Sequence, residues 1–472
     1  MNKRESFTGN LGFILATAGS AIGLGNLWRF PYLAAKNGGG IFLFIYIILV
    51  LSFGYTLMTA EIAIGRKTGA GVLQAYKRMD KRFGFLGWIA LAVPAIVFPY
   101  YCVIGGWIVH YGAAYISGSA NKIYKMGAND FFTHFISSSL SPLLCLLVFM
   151  GISTFIVVLG VKKGIEKASK LIMPILFLLI IGIAIYSFTL SHYDETAKEV
   201  RTAQEGLKIY FIPNFKGMTV GKFFSILLDA TGQMFYSLSV AMGIMITYGS
   251  YTKKESDLIS SINRIEIFDT SIAILAGMII IPTVFVFQGS EGLATSGPSL
   301  MFVSLPAVFE QMGSIGHVIG ALFFLLVFFA ALTSSVSLLE AVTSSIIDRF
   351  HLTRQAAVLL CLAVSFAIGT VVCLGYNVLY YDIPLFNGTH GQILDLLDYL
   401  TNSLMLPVVA FLTCILVGWI CKPHYVLDEI KIGHKSESLH RGKLFIVMIK
   451  FVAPLLLIII LLQAFNVFAF LE

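Results

Sequence analysis

Charge is what this sequence has least of. Only 12% of its 472 residues are Asp, Glu, Lys or Arg, while 57% are hydrophobic. Soluble proteins run near ~25% charged, so a chain this long could not cover a water-facing surface. That excludes a soluble enzyme and a nucleic-acid-binding protein, and it leaves a multi-span integral membrane protein. Cysteine is sparse as well. Cys102, Cys145, Cys361, Cys373, Cys414 and Cys421 lie in or beside apolar stretches, with no C-x-x-C pair and no zinc spacing. They read as small buried residues. No H-E-x-x-H occurs, and Gly23-Leu24-Gly25 lacks the strand–helix context of a dinucleotide fingerprint. His110, His317 and His390 sit near span ends and read as interfacial. The N-terminal residues carry no short apolar run with a cleavage site, so the first apolar stretch is expected to be a retained span.

What is present is length of apolar run. About eleven stretches reach the ~20 residues that a spanning helix needs: 11–35, 41–65, 84–115, 142–160, 168–190, 223–250, 263–287, 317–347, 353–375, 394–421 and 443–470. Two shorter apolar segments, 206–216 and 298–313, are expected to be outer helices over a vestibule. The net charge of +7 is spread by loop. One side carries Lys3 and Arg4, the Arg66–Arg82 cluster, Lys162 to Lys170, Lys253, Lys254 and Arg264, Arg349 and Arg354, and Lys422 to Lys443. Loops 288–316 and 376–393 on the other side carry neither Lys nor Arg. The positive-inside rule places the N-terminus in the cytoplasm and, with an odd span count, Glu472 outside.

Polar residues interrupt several spans. Gly19, Gly23 and Gly25 fall within seven residues of the first. Each costs ~1 kcal/mol in a helix interior, so unwinding near the bilayer centre is expected. Such backbone is tolerated only where it lines a cavity, where freed carbonyls can ligate a cation and freed N–H groups an anion. The competing reading is a small-residue packing face at Gly19 and Gly23; Asn26 and Arg29 in the same span favour function. In the sixth span, Ser237, Ser239, Ala241 and Gly243 suggest a second break, against serines satisfied by their own helix. The two spans are five apart, an odd offset that inverts topology, as in inverted-repeat transporters. In the eighth span the Ala330 carbonyl and the Thr333 and Ser334 hydroxyls share one helix face, and neutral oxygens suit a hard monovalent cation. Glu266 and Asp269 in the seventh span are costly carboxylates and so functional candidates; Glu266 reads alternatively as the partner of Arg264. Glu61 reads as a cap for the freed N–H groups of a neighbouring broken helix. Asn387-Gly388-Thr389 fits a glycosylation sequon but reads as a turn.

Gly19-Ser20-Ala21-Ile22-Gly23-Leu24-Gly25-Asn26-Leu27-Trp28-Arg29-Phe30-Pro31, followed by Asn37-Gly38-Gly39-Gly40, resembles the neurotransmitter:sodium symporter family. Gly160-Val161-Lys162-Lys163-Gly164-Ile165-Glu166-Lys167 and Ala330-Ala331-Leu332-Thr333-Ser334-Ser335 resemble it too. The likeness covers spans 1 to 10. It implies an all-α membrane protein with a LeuT-type 5+5 inverted repeat, as in a bacterial eleven-span member. The repeats would be 8–190 and 222–421, with 443–470 as an additional span, in one domain over 1–472.

The resemblance also implies sites. Sodium site 1 would use the Ala21 carbonyl, Asn26, Ser237 and Asp269. Sodium site 2 would use carbonyls of Gly19, Ile22 and Ala330 and hydroxyls of Thr333 and Ser334. A substrate carboxylate would meet the N–H groups of Leu24 and Gly25 and the Tyr101 hydroxyl; its ammonium would meet carbonyls near Ala21, Tyr236 and Ser239. The side-chain pocket would be Ser20, Val97, Tyr101, Tyr236, Ser239, Met242, Ser334 and Leu338, with Gly23, Phe235 and Ser237 also counted in the substrate site. Arg29 and Asp398 would gate the outside, with Tyr236 as lid. Arg4 and Asp348 would gate the inside, near Ser250 and Tyr251. Phe7 stands where a Trp is usual. Gly164 and Pro174 resemble a motif that lets the fifth span unwind. The implied function is sodium-coupled uptake of a hydrophobic or aromatic L-amino acid across the plasma membrane, with the oligomeric state left open. A transport-inactive receptor on the same fold is the alternative; two separate gates disfavour a channel. Amine-transporting members carry Asp where Gly23 stands, so the substrate is expected to bring its own carboxylate. Chloride is not expected, because Asp269 supplies a fixed anion; were span 7 misaligned, Glu266 would take that place.

Overall fold

The computed structural model describes residues 5–194, 198–295, 297–386, 388–434 and 441–467. The spans are α1 (Asn10–Ala21 and Gly25–Lys36), α2 (Gly40–Thr68), α3 (Lys81–Ile116), α4 (Ser141–Val158) and α5 (Val161–Ser187). There follow α6 (Val220–Ser237 and Ile244–Gly249), α7 (Leu258–Gly292), α8 (Ser314–Phe350), α9 (Arg354–Leu374), α10 (Ile393–Ile420) and α11 (Gly442–Ala464). Among the described residues nine helices are long and apolar enough to cross a membrane, and the bent pair of α1 makes a tenth. The sixth segment is not among them: its longer half is diluted by Lys222, Asp229, Thr231 and Gln233, and its shorter half has six residues.

Both expected breaks are present. The halves of α1 meet at 52°, with Ile22 extended at φ −76°, ψ 101°. In α6 the helix stops at Ser237 and resumes at Ile244, and Ser239, Ala241 and Gly243 have φ of 52°, 63° and 69°. Left-handed backbone costs a side-chain-bearing residue roughly 1–2 kcal/mol, so Ser239 and Ala241 need outside support. Glu61 from α2 provides it, its Oε1 accepting the Ala241 N–H at 2.8 Å. That is the capping role read from the sequence.

α3 and α8 form the central packed pair, with α1, α5 and α6 against them. A short hairpin (Ser191–Asp194 with Glu199–Thr202) leads into helix Ala203–Phe211, which a capping box of Thr202 and Glu205 starts. This helix lies tightly on α7: a Cβ on Gly206 would fall 2.6 Å from Pro282 Cα. It and helix Leu305–Gln311 occupy the segments expected to be outer helices. Asn387 of the sequon lies outside the described residues.

The reading of Glu266 as partner to Arg264 is corrected. Residues two apart on a helix point in different directions. Glu266 Oε2 instead accepts from Arg441 Nη1 at 2.9 Å, just before α11 begins.

Removing the cap at the α6 break should cost stability. Glu61→Leu leaves the buried Ala241 N–H without a partner, a loss of about 1–3 kcal/mol. Thermal melts in detergent should fall by several degrees for Glu61→Leu and much less for Glu61→Gln, which keeps an acceptor oxygen. Identical melting of the leucine variant and the wild type would contradict the assignment.

Candidate ion and substrate site

The two breaks face each other, Ser239 Oγ meeting Ser20 across them, and polar groups from α2 and α7 converge there. Asp269 is fully buried. Its Oδ1 accepts from Asn26 Nδ2 at 2.8 Å and from Ser237 Oγ at 2.8 Å; its Oδ2 accepts from Ser237 Oγ at 3.0 Å and from the Tyr46 hydroxyl at 3.5 Å. Asn26 Oδ1 accepts the Gly23 N–H at 3.3 Å, which ties the carboxylate to the unwound backbone of α1. Asn26, Ser237 and Asp269 are therefore together, while Ala21 ends the first half of α1 and lines the neighbouring cavity. Tyr46 and Gln233 were missed. Gln233 Nε2 donates to the Gly25 carbonyl at 2.9 Å. A glutamine inside an apolar span carried a signal; a tyrosine inside the run of α2 carried none.

A second oxygen cluster lies where α8 crosses the α1 break. The Ser334 hydroxyl has Ser20 O at 3.0 Å, Ile22 O at 3.3 Å and Ala330 O at 3.3 Å. Thr333 Oγ1 lies 3.1 Å from Ala330 O. A Cβ on Gly19 would sit 3.2 Å from both Thr333 Cβ and Met173 Sδ. One hydroxyl proton faces three carbonyls, so oxygen lone pairs outnumber donors, which is what a hard cation requires. Among the described residues no group of three His, Cys, Asp or Glu side chains could hold a metal ion.

Between the clusters is a small cavity of about 30 Å³, room for no more than a water or two. Every residue expected at the substrate site lines it except Phe235 and Ser237, and Ile244 joins them. Neighbours on a helix point about 100° apart, so with Tyr236 facing the cavity Phe235 turns to a neighbouring vestibule and to Phe53, and Ser237 turns to Asp269. Tyr101 Oη lies 3.4 Å from the Leu24 N–H and Ser239 Oγ donates to Ser20 O at 2.9 Å. A side chain at position 23 would crowd two hydroxyls: a Cβ there would be 2.7 Å from Ser334 Oγ and 3.1 Å from Tyr101 Oη.

On one side of the cavity a vestibule of about 690 Å³ reaches to Arg29, Tyr236 and Asp398. The Arg29 guanidinium lies 5.8 Å over the Tyr236 ring. Asp398 accepts from Asn402 at 2.6 Å and Tyr100 at 3.2 Å, and among the described residues it makes no ion pair with Arg29. The opposite face is shut. Phe7 packs against Phe13, Tyr248 and Tyr251, and its N–H donates to Tyr251 O at 3.0 Å. Tyr251 Oη donates to Glu340 at 2.6 Å, and Arg354 holds Glu340 at 2.7 Å. Thr8 bonds Glu166, and Glu5 accepts the Val161 N–H at 2.6 Å. Asp348 accepts the Gly71 N–H at 2.6 Å; Arg4 lies outside the described residues. In α5, a Cβ on Gly164 would be 1.9 Å from Ile156 O, and the helix runs intact through Pro174. The molecule is open on one face and closed on the other.

Two broken helices, oxygen-lined clusters at the breaks and a small pocket between them, beneath a vestibule on one face only, are the features of a secondary transporter. The sequence profile described as "Sodium:neurotransmitter symporter family" matches residues 4–134 and 120–471. The chain is 34% identical to the uncharacterized sodium-dependent transporter YhdH of Bacillus subtilis, over 99% of both chains. It is 24% identical to the sodium- and chloride-dependent GABA transporter 2 of Mus musculus, over 93% of this chain and 77% of that one. The crystal structure of MhsT in complex with L-phenylalanine superposes with a TM-score of 0.85 at 35% identity, over 98% of this chain and all of that one. The chain belongs to the sodium:neurotransmitter symporter family. It has the LeuT-type fold and is a multi-pass, sodium-dependent transporter and not an enzyme.

The contact between α1 and the lid is open to test. A Cβ on Gly25 would come within 2.3 Å of Tyr236 Cδ1, so Gly25→Ala must push the ring off its seat. Overpacking of this kind costs roughly 1–3 kcal/mol, and uptake should fall about five- to a hundredfold while expression holds. Unchanged uptake would mean that Tyr236 does not seal the site.

Proposed function

We propose that this protein imports a hydrophobic or aromatic L-amino acid together with two sodium ions, by alternating access and without chloride. The observation that carries the reading is the composition of the pocket wall: Val97, Met242, Ile244 and Leu338 face the α1 break, and no charged side chain lines the cavity. Burying an unpaired side-chain charge there would cost several kcal/mol, so Asp, Glu, Lys and Arg are poor substrates. The N–H groups of Leu24 and Gly25 and the Tyr101 hydroxyl suit a carboxylate, and Gly23 brings no side-chain carboxylate that would replace one. The L-phenylalanine held by MhsT fits this class. Met242 is flexible and accommodates side chains of several sizes as the cavity widens.

Sodium 1 binds Ala21, Asn26, Ser237 and Asp269; sodium 2 binds Gly19, Ile22, Ala330, Thr333 and Ser334. Two cations and a zwitterion bring net positive charge into a low-dielectric centre. The mouse relative is described as chloride-dependent; here the Asp269 carboxylate supplies the compensating charge. Glu266, committed to Arg441, does not. The halves 8–190 and 222–421 act as inverted repeats, with the N-terminus in the cytoplasm and the C-terminus outside. Arg29 closes toward Asp398 over Tyr236. Inward opening frees Arg4 and Phe7 from Asp348 and Tyr251, and unwinding of α5 between Gly164 and Pro174 wets site 2.

An inward sodium gradient across proteoliposomes should drive concentrative uptake of Leu, Met, Phe, Tyr or Trp. Binding without accumulation would indicate the receptor alternative. Tryptophan should compete with the transported substrate, and tryptamine, which lacks the carboxylate, should not. Equal competition by the two would sink the amino-acid reading.

Thr333→Val with Ser334→Ala keeps side-chain volume but removes two oxygen ligands. Sodium-dependent uptake should collapse in the double variant while its melting temperature stays near that of the wild type. An unaltered sodium affinity would place the second ion elsewhere.

A further inference from the structure

Apart from the central site, a cavity of about 200 Å³ opens where the end of α10 meets α11, on the face rich in Lys and Arg. Trp419, Lys422, His424 and Lys450 line it, and no Asp or Glu does.

The local backbone builds this space. Both helices widen into a π-turn at the same level, α10 over Leu416–Ile420 and α11 over Met448–Val452. Such turns are frequent at functional sites. Gly418 lets the two helices close up: a Cβ there would lie 3.0 Å from Ile449 O. The Lys450 carbonyl accepts from Trp419 Nε1 at 3.1 Å, which fixes the indole as one wall. Just past the end of α10, Lys422 takes left-handed backbone at φ 67°, a conformation costly for a residue with a side chain. The chain then enters the helix His424–Lys431, whose first residue faces the cavity.

Three basic side chains thus surround one space. Lys450 Nζ lies 5.8 Å from the centre of the Trp419 ring. Among the described residues Lys422, His424 and Lys450 have no side-chain ion pair or hydrogen bond. Other basic groups of this face are engaged: Lys67 donates to Tyr425 O at 2.9 Å, and Arg82 pairs with Asp80 at 2.8 Å. Like charges gathered around a cavity repel one another, and a bound anion relieves the repulsion.

We propose that the cavity binds a phosphomonoester. That group carries close to two negative charges at neutral pH and three acceptor oxygens, a match in charge for two lysines and in number for three donors. Lysine serves phosphate as a point charge, and the N-terminal end of the helix at His424 adds partial positive charge. A phosphodiester brings a single charge and fits less well. Two sources carry the monoester: a soluble metabolite, or a phosphatidic acid whose chains lie along Trp419 and Phe451, which are 54% and 57% exposed. An anion seated between Lys422 and Lys450 ties the end of α10 to α11.

The test is native mass spectrometry of the purified full-length protein titrated with glycerol 3-phosphate, phosphatidic acid or phosphatidylglycerol. A monoester should occupy one site, and phosphatidic acid should bind there about fivefold more tightly than phosphatidylglycerol. Lys450→Gln should weaken binding about fivefold. Lys422→Gly should do the same while sparing the fold, because glycine suits the left-handed backbone. Displacement of phosphatidic acid by millimolar glycerol 3-phosphate would support the site with a soluble ligand, and its retention would support the site with a lipid. No single site for either monoester, equal binding of phosphatidylglycerol, or unchanged binding in both variants would overturn the proposal.

Discussion

A carboxylate buried at the centre of a membrane protein sets the terms for the rest of this structure. Taking Asp269 out of water costs several kcal/mol unless donors or a cation answer it. The donors come from three helices: Asn26 on α1, Tyr46 on α2 and Ser237 on α6. Two of them sit at helix breaks, because an unbroken apolar helix would carry its polar groups past the site. Each break then needs support of its own. Glu61 holds Ala241, and Gln233 takes the Gly25 carbonyl. Polarity at the centre is thus answered outward, shell by shell, until the outermost spans are apolar.

The same logic divides the two faces. On the closed face the segment before α1 is fastened by Glu5 to Val161, Phe7 to Tyr251 and Thr8 to Glu166. All three anchors lie on elements other than α1, so in the proposed cycle the inner half of α1 can swing only after they part. Among the described residues the open face has no equivalent fastening. Arg29 rests above the lid and Asp398 is held by Asn402 and Tyr100. In the proposed cycle, closure there has Asp398 exchange those neutral donors for a guanidinium, whose planar fork can meet both carboxylate oxygens.

Much of this was legible in the sequence, for physical reasons. Glycines and serines inside apolar runs cannot be there for hydrophobicity, so Gly19–Gly25 and Ser237–Gly243 marked both breaks. Glu61 was readable because a lone buried carboxylate needs a donor-rich neighbour, and a broken helix is one. Partners across the fold were not readable. Arg441 reaches Glu266 from 175 residues away, whereas the sequence offered only the nearby Arg264. Tyr46 and Glu340 act through long-range contacts that no local pattern encodes. The spans were counted from runs of apolar residues, but α6 is two short helices, and the polar groups at its break lower its apolarity.

The central claim is that Asp269 does electrostatically what a bound anion does in chloride-dependent relatives. The direct measurement is sodium-driven uptake in proteoliposomes with chloride replaced by gluconate on both sides, in wild type and in Asp269→Asn. Wild-type uptake should be unchanged by the replacement. The asparagine variant should bind sodium more weakly and recover part of its uptake when chloride is restored. A large loss of wild-type uptake without chloride would contradict the account.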